Sequence, residues 1–281
     1  MVPRGRLTGY ARRPMRATGP TLAALVLLGA ACDESKYDKY KTAPEAAAAA
    51  VAPSASSAPT APAPSATAAT WKRKSASDCK PHPTSVEFDD EALENEVRRK
   101  LGKDAGDITP ADLGRIKSIN LSTARLHQID PCIFPMFTSL KDLFLGPGDY
   151  DDLTPIQKLS TLETLRVSLS QVKDLHPIEG LKRMDRLDLS HTLIGDNELK
   201  SVASFVNLTE LTLDEDAITD LTPIAGLKKL ERLSIKKTQV KTLAPLAQLK
   251  TLRFVYIADT PVTDITPVQP LMSNGMKLVQ N

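Results

Sequence analysis

Seven short stretches share one pattern of apolar and polar positions. They begin IKSINL at Ile116, LKDLFL at Leu140, LETLRV at Leu162, MDRLDL at Met184, LTELTL at Leu208, LERLSI at Leu230 and LRFVYI at Leu252. The first, fourth and sixth residues are apolar in every one, and the steps between them are 24, 22, 22, 24, 22 and 22 residues. Apolar residues at the fourth and sixth positions lie on one face of an extended strand, so each stretch predicts a short strand with that face inward. A turn signal follows five of the strands. Thr154-Pro155, His176-Pro177, Thr222-Pro223, Ala244-Pro245 and Thr266-Pro267 mark corners where proline suits the start of a short helical turn. Leu153, Leu175, Leu221 and Ile265 stand just before them and are expected to pack back inside.

A fixed period of this length with an L-x-x-L-x-L core signals leucine-rich repeats. Each strand should pair in parallel with that of the next unit. After each strand core, Ser170, Thr192, Asp216, Thr238 and Thr260 can bond the turning backbone, a weaker version of the asparagine that many such repeats carry there. The fourth unit departs: GDNELKSVASFVN lacks the corner proline and carries two extra residues, which predicts a longer outer helix from about Asp196 or Asn197. Met276–Val279 are expected to form a partial eighth strand, with no well-formed cap after it.

A different period precedes the array. In SVEFDDEALENEVRRKLGK, Leu93, Val97 and Leu101 recur every four residues on one helix face. Asp89 or Asp90 can cap its start and Gly102 its end. A second short helix is predicted in ITPADLGRI, with Thr109 as N-cap, Pro110 at the first helical position and Asp112 completing a capping box. Two helices there suit a cap over the open end of the array.

Composition divides the chain further. Residues 1–31 hold five arginines and no acid, then the apolar run TLAALVLLGAA, which is the grammar of an export signal. Met15 is an alternative start. Without those arginines the whole-chain charge of +2 becomes −3, 31 basic against 34 acidic residues, which argues against a general nucleic-acid binder. LLGAAC, ending at Cys32, resembles a bacterial lipobox, although Gly29 stands where leucine is usual. The resemblance implies a lipidated Cys32. Residues 33–78, whose stretch from 42 to 70 is nearly all Ala, Pro, Ser and Thr, read as a disordered tether of roughly 40 to 140 Å reach. Its WKRK stretch at 71–74 reads as a solvated charge run. The remaining pair, Cys79 and Cys132, reads first as a disulfide in an exported protein. Closing 52 intervening residues would stabilise by about 4 kcal/mol on the chain-entropy view. Two separate buried thiols are the other reading.

The helical segment and the 22-residue units with D-L-T-P-I corners resemble bacterial internalin-type leucine-rich repeat proteins across about residues 85–274. The expected fold is an α/β leucine-rich repeat solenoid with a curved parallel sheet of about seven units and a helical N-terminal cap. Its segments are a signal peptide over 1–31, anchor and tether over 32–78, the cap over 79–115 and repeats over 116–281. The resemblance implies binding of an unidentified protein on the concave sheet face. Internalins proper continue into an immunoglobulin-like domain and a wall-anchoring tail that this sequence lacks, so host-cell adhesion is not implied.

Strand positions three and five face away from the core, and aromatics and arginine carry binding energy at interfaces. Phe144, Arg166, Arg186, Asp188, Arg232, Phe254 and Tyr256 are the expected contact residues, Phe254 and Tyr256 sharing one strand with Arg232 beside them. The chain has only twelve aromatics. The alternative for Phe254 and Tyr256 is that they cover the end of the array. The four histidines have no ligand spacing, GPGD at 146–149 is too short for a phosphate loop, and Asp214-Glu215-Asp216 reads as a solvated turn. Neither cofactor nor catalytic centre is expected. The reading is an exported, membrane-anchored envelope protein that binds a protein, with wall glycan or its own copies as the alternative partner.

Overall fold

The computed structural model describes residues 72–80 and 84–280. The export signal, Cys32 and the tether up to residue 71 lie outside the described residues. From Ser118 to Val279 the chain lays down eight strands: β1 (Ser118–Leu121), β2 (Asp142–Leu145), β3 (Thr164–Arg166), β4 (Arg186–Asp188), β5 (Glu210–Thr212), β6 (Arg232–Ser234), β7 (Phe254–Tyr256) and β8 (Lys277–Val279). They form one parallel sheet in sequence order. The strand at the end of the array is therefore fully formed, and Lys277 pairs with Phe254. The repeats build the core as expected: every first, fourth and sixth residue of the seven units is buried, from Ile116 to Ile257. The chain folds as a leucine-rich repeat solenoid.

The corners show what the aspartate in D-L-T-P-I does. Asp152, Asp174, Asp220 and Asp264 each accept the amide two residues ahead, from Thr154, His176, Thr222 and Thr266 at 2.8, 2.9, 2.8 and 2.8 Å. This side-chain turn fixes the entry to a 3-10 turn whose second residue is the proline. In the unit that lacks the aspartate, Thr242 Oγ1 takes the Ala244 amide at 3.2 Å. The fourth unit is a correction. Its helix α3 is a single turn, Leu199–Val202, and does not start at Asp196 or Asn197. Asp196 is used elsewhere: its Oδ1 accepts the amides of Thr219 and Asp220 in the next unit, at 2.8 and 3.0 Å.

A left-handed residue ends the turn after each of β3 to β7: Leu169, His191, Glu215, Lys237 and Asp259, with φ between 55° and 63°. Such backbone costs about 1–3 kcal/mol per residue. It swings the following side chain back under the strand, where Ser170, Thr238 and Thr260 donate to the carbonyls of Val167, Ile235 and Ile257 at 2.7, 2.7 and 2.8 Å. At GPGD the glycines serve close approach. A Cβ on Gly148 would lie 1.8 Å from the Leu126 carbonyl oxygen, and one on Gly146 2.1 Å from that of Ala124.

Ahead of β1, helix α1 (Glu91–Leu101) starts with the Asp90 side chain accepting the Leu93 amide at 3.0 Å and ends at Gly102 with φ 64°. Helix α2 (Pro110–Leu113) has the Thr109–Asp112 capping box. Leu93, Val97 and Leu113 join the core. Glu96 is also buried, at 7 % exposure, and its Oε1 accepts the Asn120 amide of β1 at 2.9 Å. That strand edge would otherwise carry an unpaired donor. Cys79 and Cys132 are joined as a disulfide. The basic run is less solvated than its composition suggested. Lys74 pairs with Asp89 and with Asp130 at 2.5 and 3.3 Å, its amide donates to Gln128 Oε1 at 2.8 Å, and Arg73 pairs with Asp151.

Candidate partner-binding face

Each strand directs two side chains away from the core, and in-register parallel pairing arranges them in two rows roughly 4.8 Å apart from strand to strand. One row runs Ser118, Asp142, Thr164, Arg186, Glu210, Arg232, Phe254, Lys277. The other runs Asn120, Phe144, Arg166, Asp188, Thr212, Ser234, Tyr256, Val279. Chemistry is uneven along these rows, and it concentrates toward β7.

Phe254 lies between two cations. The Arg232 guanidinium carbon is 4.7 Å from its ring centroid and Lys277 Nζ is 5.5 Å away. The Tyr256 ring stacks beside it, centroids 6.5 Å apart and planes 15° apart. Arg232 Nη1 donates to the Tyr256 hydroxyl at 2.8 Å, and Nε lies 3.7 Å from Glu210 Oε1. The guanidinium thus holds both rings in place while both remain half-exposed. A ring between cations is attractive for each of them, because its faces carry the negative part of the quadrupole. Lys277 has no carboxylate partner among the described residues.

The middle of the face is occupied by its own ion pairs. Arg166 Nε is 3.1 Å from Asp188 Oδ2 and donates to Ser168 Oγ at 2.8 Å. Arg186 Nε lies 3.6 Å from Asp185, too long for a hydrogen bond. Glu210 is burdened by burial, which raises its pKa despite the attraction of Arg232 and Arg186. Phe144 is half-exposed on β2, with Asn120 and Arg166 beside it in register.

The seven residues expected on this face therefore fall into three groups. Arg232, Phe254 and Tyr256 form one contacting cluster. Arg166 and Asp188 form an ion pair with Phe144 next to it, and Arg186 stands between in the other row. Lys277 was not foreseen, because the last step is 23 residues, from Phe254 to Lys277, instead of 22. Aligning Leu278 with Val255 would have placed it. Phe254 and Tyr256 do not end the array, since β8 lies beyond them.

Elsewhere, Asp214 accepts the Ser234 hydroxyl and the Lys236 amide at 2.6 and 2.8 Å and pairs with Lys236 at 3.1 Å. Glu215 pairs with Lys237 at 2.7 Å, and Asp216 is only 3 % exposed. The acidic run is thus a bonded and partly buried turn, a correction to its reading as solvated. Among the described residues, no group of three or more His, Cys, Asp or Glu is arranged to hold a metal ion. Nor is any helix there long and apolar enough to cross a membrane.

No protein-family model matches the chain, and no curated protein matches it. Solved structures do. Internalin C2 from Listeria monocytogenes is 27 % identical over 69 % of this chain and 94 % of its own, with a TM-score of 0.58. An internalin of the same organism is 21 % identical over 69 % of this chain and 75 % of its own, at 0.40. A leucine-rich repeat protein of Leptospira interrogans is 20 % identical over 59 % of this chain and 49 % of its own, at 0.48. The first likeness carries weight beyond the shared period, because it spans nearly all of that chain. The repeats of this protein are similar to those of internalin C2.

Proposed function

We propose that this protein binds another protein through the open face of its sheet, with Arg232, Phe254, Tyr256 and Lys277 as the centre of contact. Phe144, Arg166, Arg186 and Asp188 extend the surface toward β2. The observation that carries the reading is the half-exposed aromatic pair held by Arg232. Aromatics and arginine are enriched where interface energy concentrates, and their order here means little side-chain freedom is lost on binding. Lys277, with no carboxylate partner among the described residues, suits a partner that supplies one beside an apolar group seated on the two rings.

The rest of the chain completes the proposal. Residues 1–31 direct export, Cys32 takes the lipid, and residues 33–78 tether the repeats to an envelope membrane. Residues 79–115 cap the array. The role is non-enzymatic, and the internalin likeness of the repeats fits a protein-interaction module.

The test is capture of cross-linked material from envelopes using the full chain, beside a variant carrying Arg232→Ala, Phe254→Ala and Tyr256→Ala with unchanged melting. A protein held by the first and lost by the second is the expected result. Equal capture by both contradicts the assignment of the site. Retention on purified wall polymer, with no protein captured, transfers the function to glycan binding.

A further inference from the structure

One position under the strands breaks the pattern that the others set. Where Ser170, Thr238 and Thr260 give a hydroxyl proton to the carbonyl three residues back, the fifth unit has Asp216. The carbonyl it should serve is that of Leu213. Asp216 Oδ1 is fully used, accepting the Thr192 amide at 2.8 Å and the Thr192 hydroxyl at 3.0 Å. Those bonds divert Thr192 from the role its counterparts play and tie the fourth unit to the fifth. Asp216 Oδ2 is buried and has no hydrogen-bond partner.

A buried carboxylate oxygen without a donor is costly. A carboxylic acid in the same place has a proton to give. The ionisable groups facing Asp216 are Asp188 and Asp214, and both oppose a further negative charge. The nearby cations are engaged with those two: Arg166 with Asp188, and Lys236 with Asp214.

We propose that Asp216 is a neutral carboxylic acid in the folded protein, giving its Oδ2 proton to the Leu213 carbonyl. Its ionisation then loosens the joint between the fourth and fifth units, so the array carries a proton-operated latch at its middle. The latch joins the turns that follow β4 and β5, and β4 carries Arg186 and Asp188 of the proposed binding face. Burial is the main cause that pushes the Asp216 pKa up, from 3.8 to about 7, against the lowering effect of the two Thr192 bonds. The sign follows. The folded state holds the proton more tightly than the unfolded chain, so the stabilisation is complete below pH 4 or so. It is lost as pH rises through 7.

The experiment compares the full chain with Asp216→Asn by thermal unfolding between pH 5 and pH 9. Asparagine keeps the acceptor for Thr192 and supplies a permanent N–H toward Leu213. The native midpoint should fall across this range relative to the variant's, with the variant higher at pH 8. Groups other than Asp216 contribute equally to both and cancel in the difference. Parallel midpoint curves would overturn the proposal. As a check independent of the variant's folding, the carboxyl carbon resonance of Asp216 in the native chain should titrate near neutrality. Titration at the ordinary aspartate value would also overturn it.

Discussion

At one end of the sheet, β1 has the apolar face of α1 against it and Glu96 accepting its Asn120 amide. At the other end, β8 has β7 on one side and, among the described residues, no strand on the other. Its side chains are correspondingly more open. Ile119 and Leu121 of β1 are buried, whereas Lys277 is exposed and Leu278 and Val279 are half-buried. Closing an end requires apolar side chains pointing inward and partners for the edge's backbone groups, and the N-terminal segment supplies apolar cover and an acceptor for the Asn120 amide. Stability is therefore concentrated at β1, and surface able to meet a partner is concentrated at β7 and β8.

The largest break in this contrast should come from the disulfide. Replacing Cys79 and Cys132 with serine removes a cross-link over 53 residues of sequence separation. The expected loss is about 4 kcal/mol, read as a lower denaturant midpoint, with β1 opening before β7 in hydrogen exchange. Next, Leu93→Ala should cost about 3 kcal/mol as a core cavity. Leu278→Ala, at the open end, should cost less than half as much. Equal losses would erase the asymmetry.

A smaller effect separates shape from hydrogen bonding. Glu96→Ala removes the acceptor of the part-buried Asn120 bond and should destabilise by about 2 kcal/mol. Glu96→Gln keeps an acceptor oxygen and should recover most of that loss. Faster exchange of the Asn120 amide in the alanine variant alone identifies the cause.

The smallest effect is acid sensitivity at the N-terminal segment. The Lys103 ammonium, then the Thr109 amide and hydroxyl, hold Asp112 down at about 2 from 3.8. Its contribution is present above pH 4 or so and is lost as pH falls toward 2. Asp112→Asn should therefore flatten the acid limb of unfolding. Asp216 acts in the opposite direction and at higher pH.

The 22-residue period was legible because each unit repeats the same burial problem, and Leu143, Leu165 and Leu187 solve it identically. The capping residues Asp90, Thr109 and Gly102 were legible for a similar reason, since helix ends pose a local problem. Residues whose partner lies in another unit were not. Asp196 reads as the start of a helix until Thr219 and Asp220 claim it. Nothing in the helical spacing around Glu96 points to the β1 amide that it accepts. Lys74 reads as part of a solvated basic run until Asp89 and Asp130 come beside it. At the candidate site, strand alternation was enough to bring out Arg232, Phe254 and Tyr256, whereas Lys277 depended on a step one residue longer than the period.

The most direct test of the binding proposal places a photoreactive residue at Val279 and, in a separate chain, at Asn120. Both positions belong to one row of the face, at opposite ends. The expected result is a discrete protein adduct from Val279, lost when Phe254→Ala is added, and none from Asn120. Adducts from Asn120 alone, or equally from both and indifferent to Phe254→Ala, would contradict binding at the β7–β8 end.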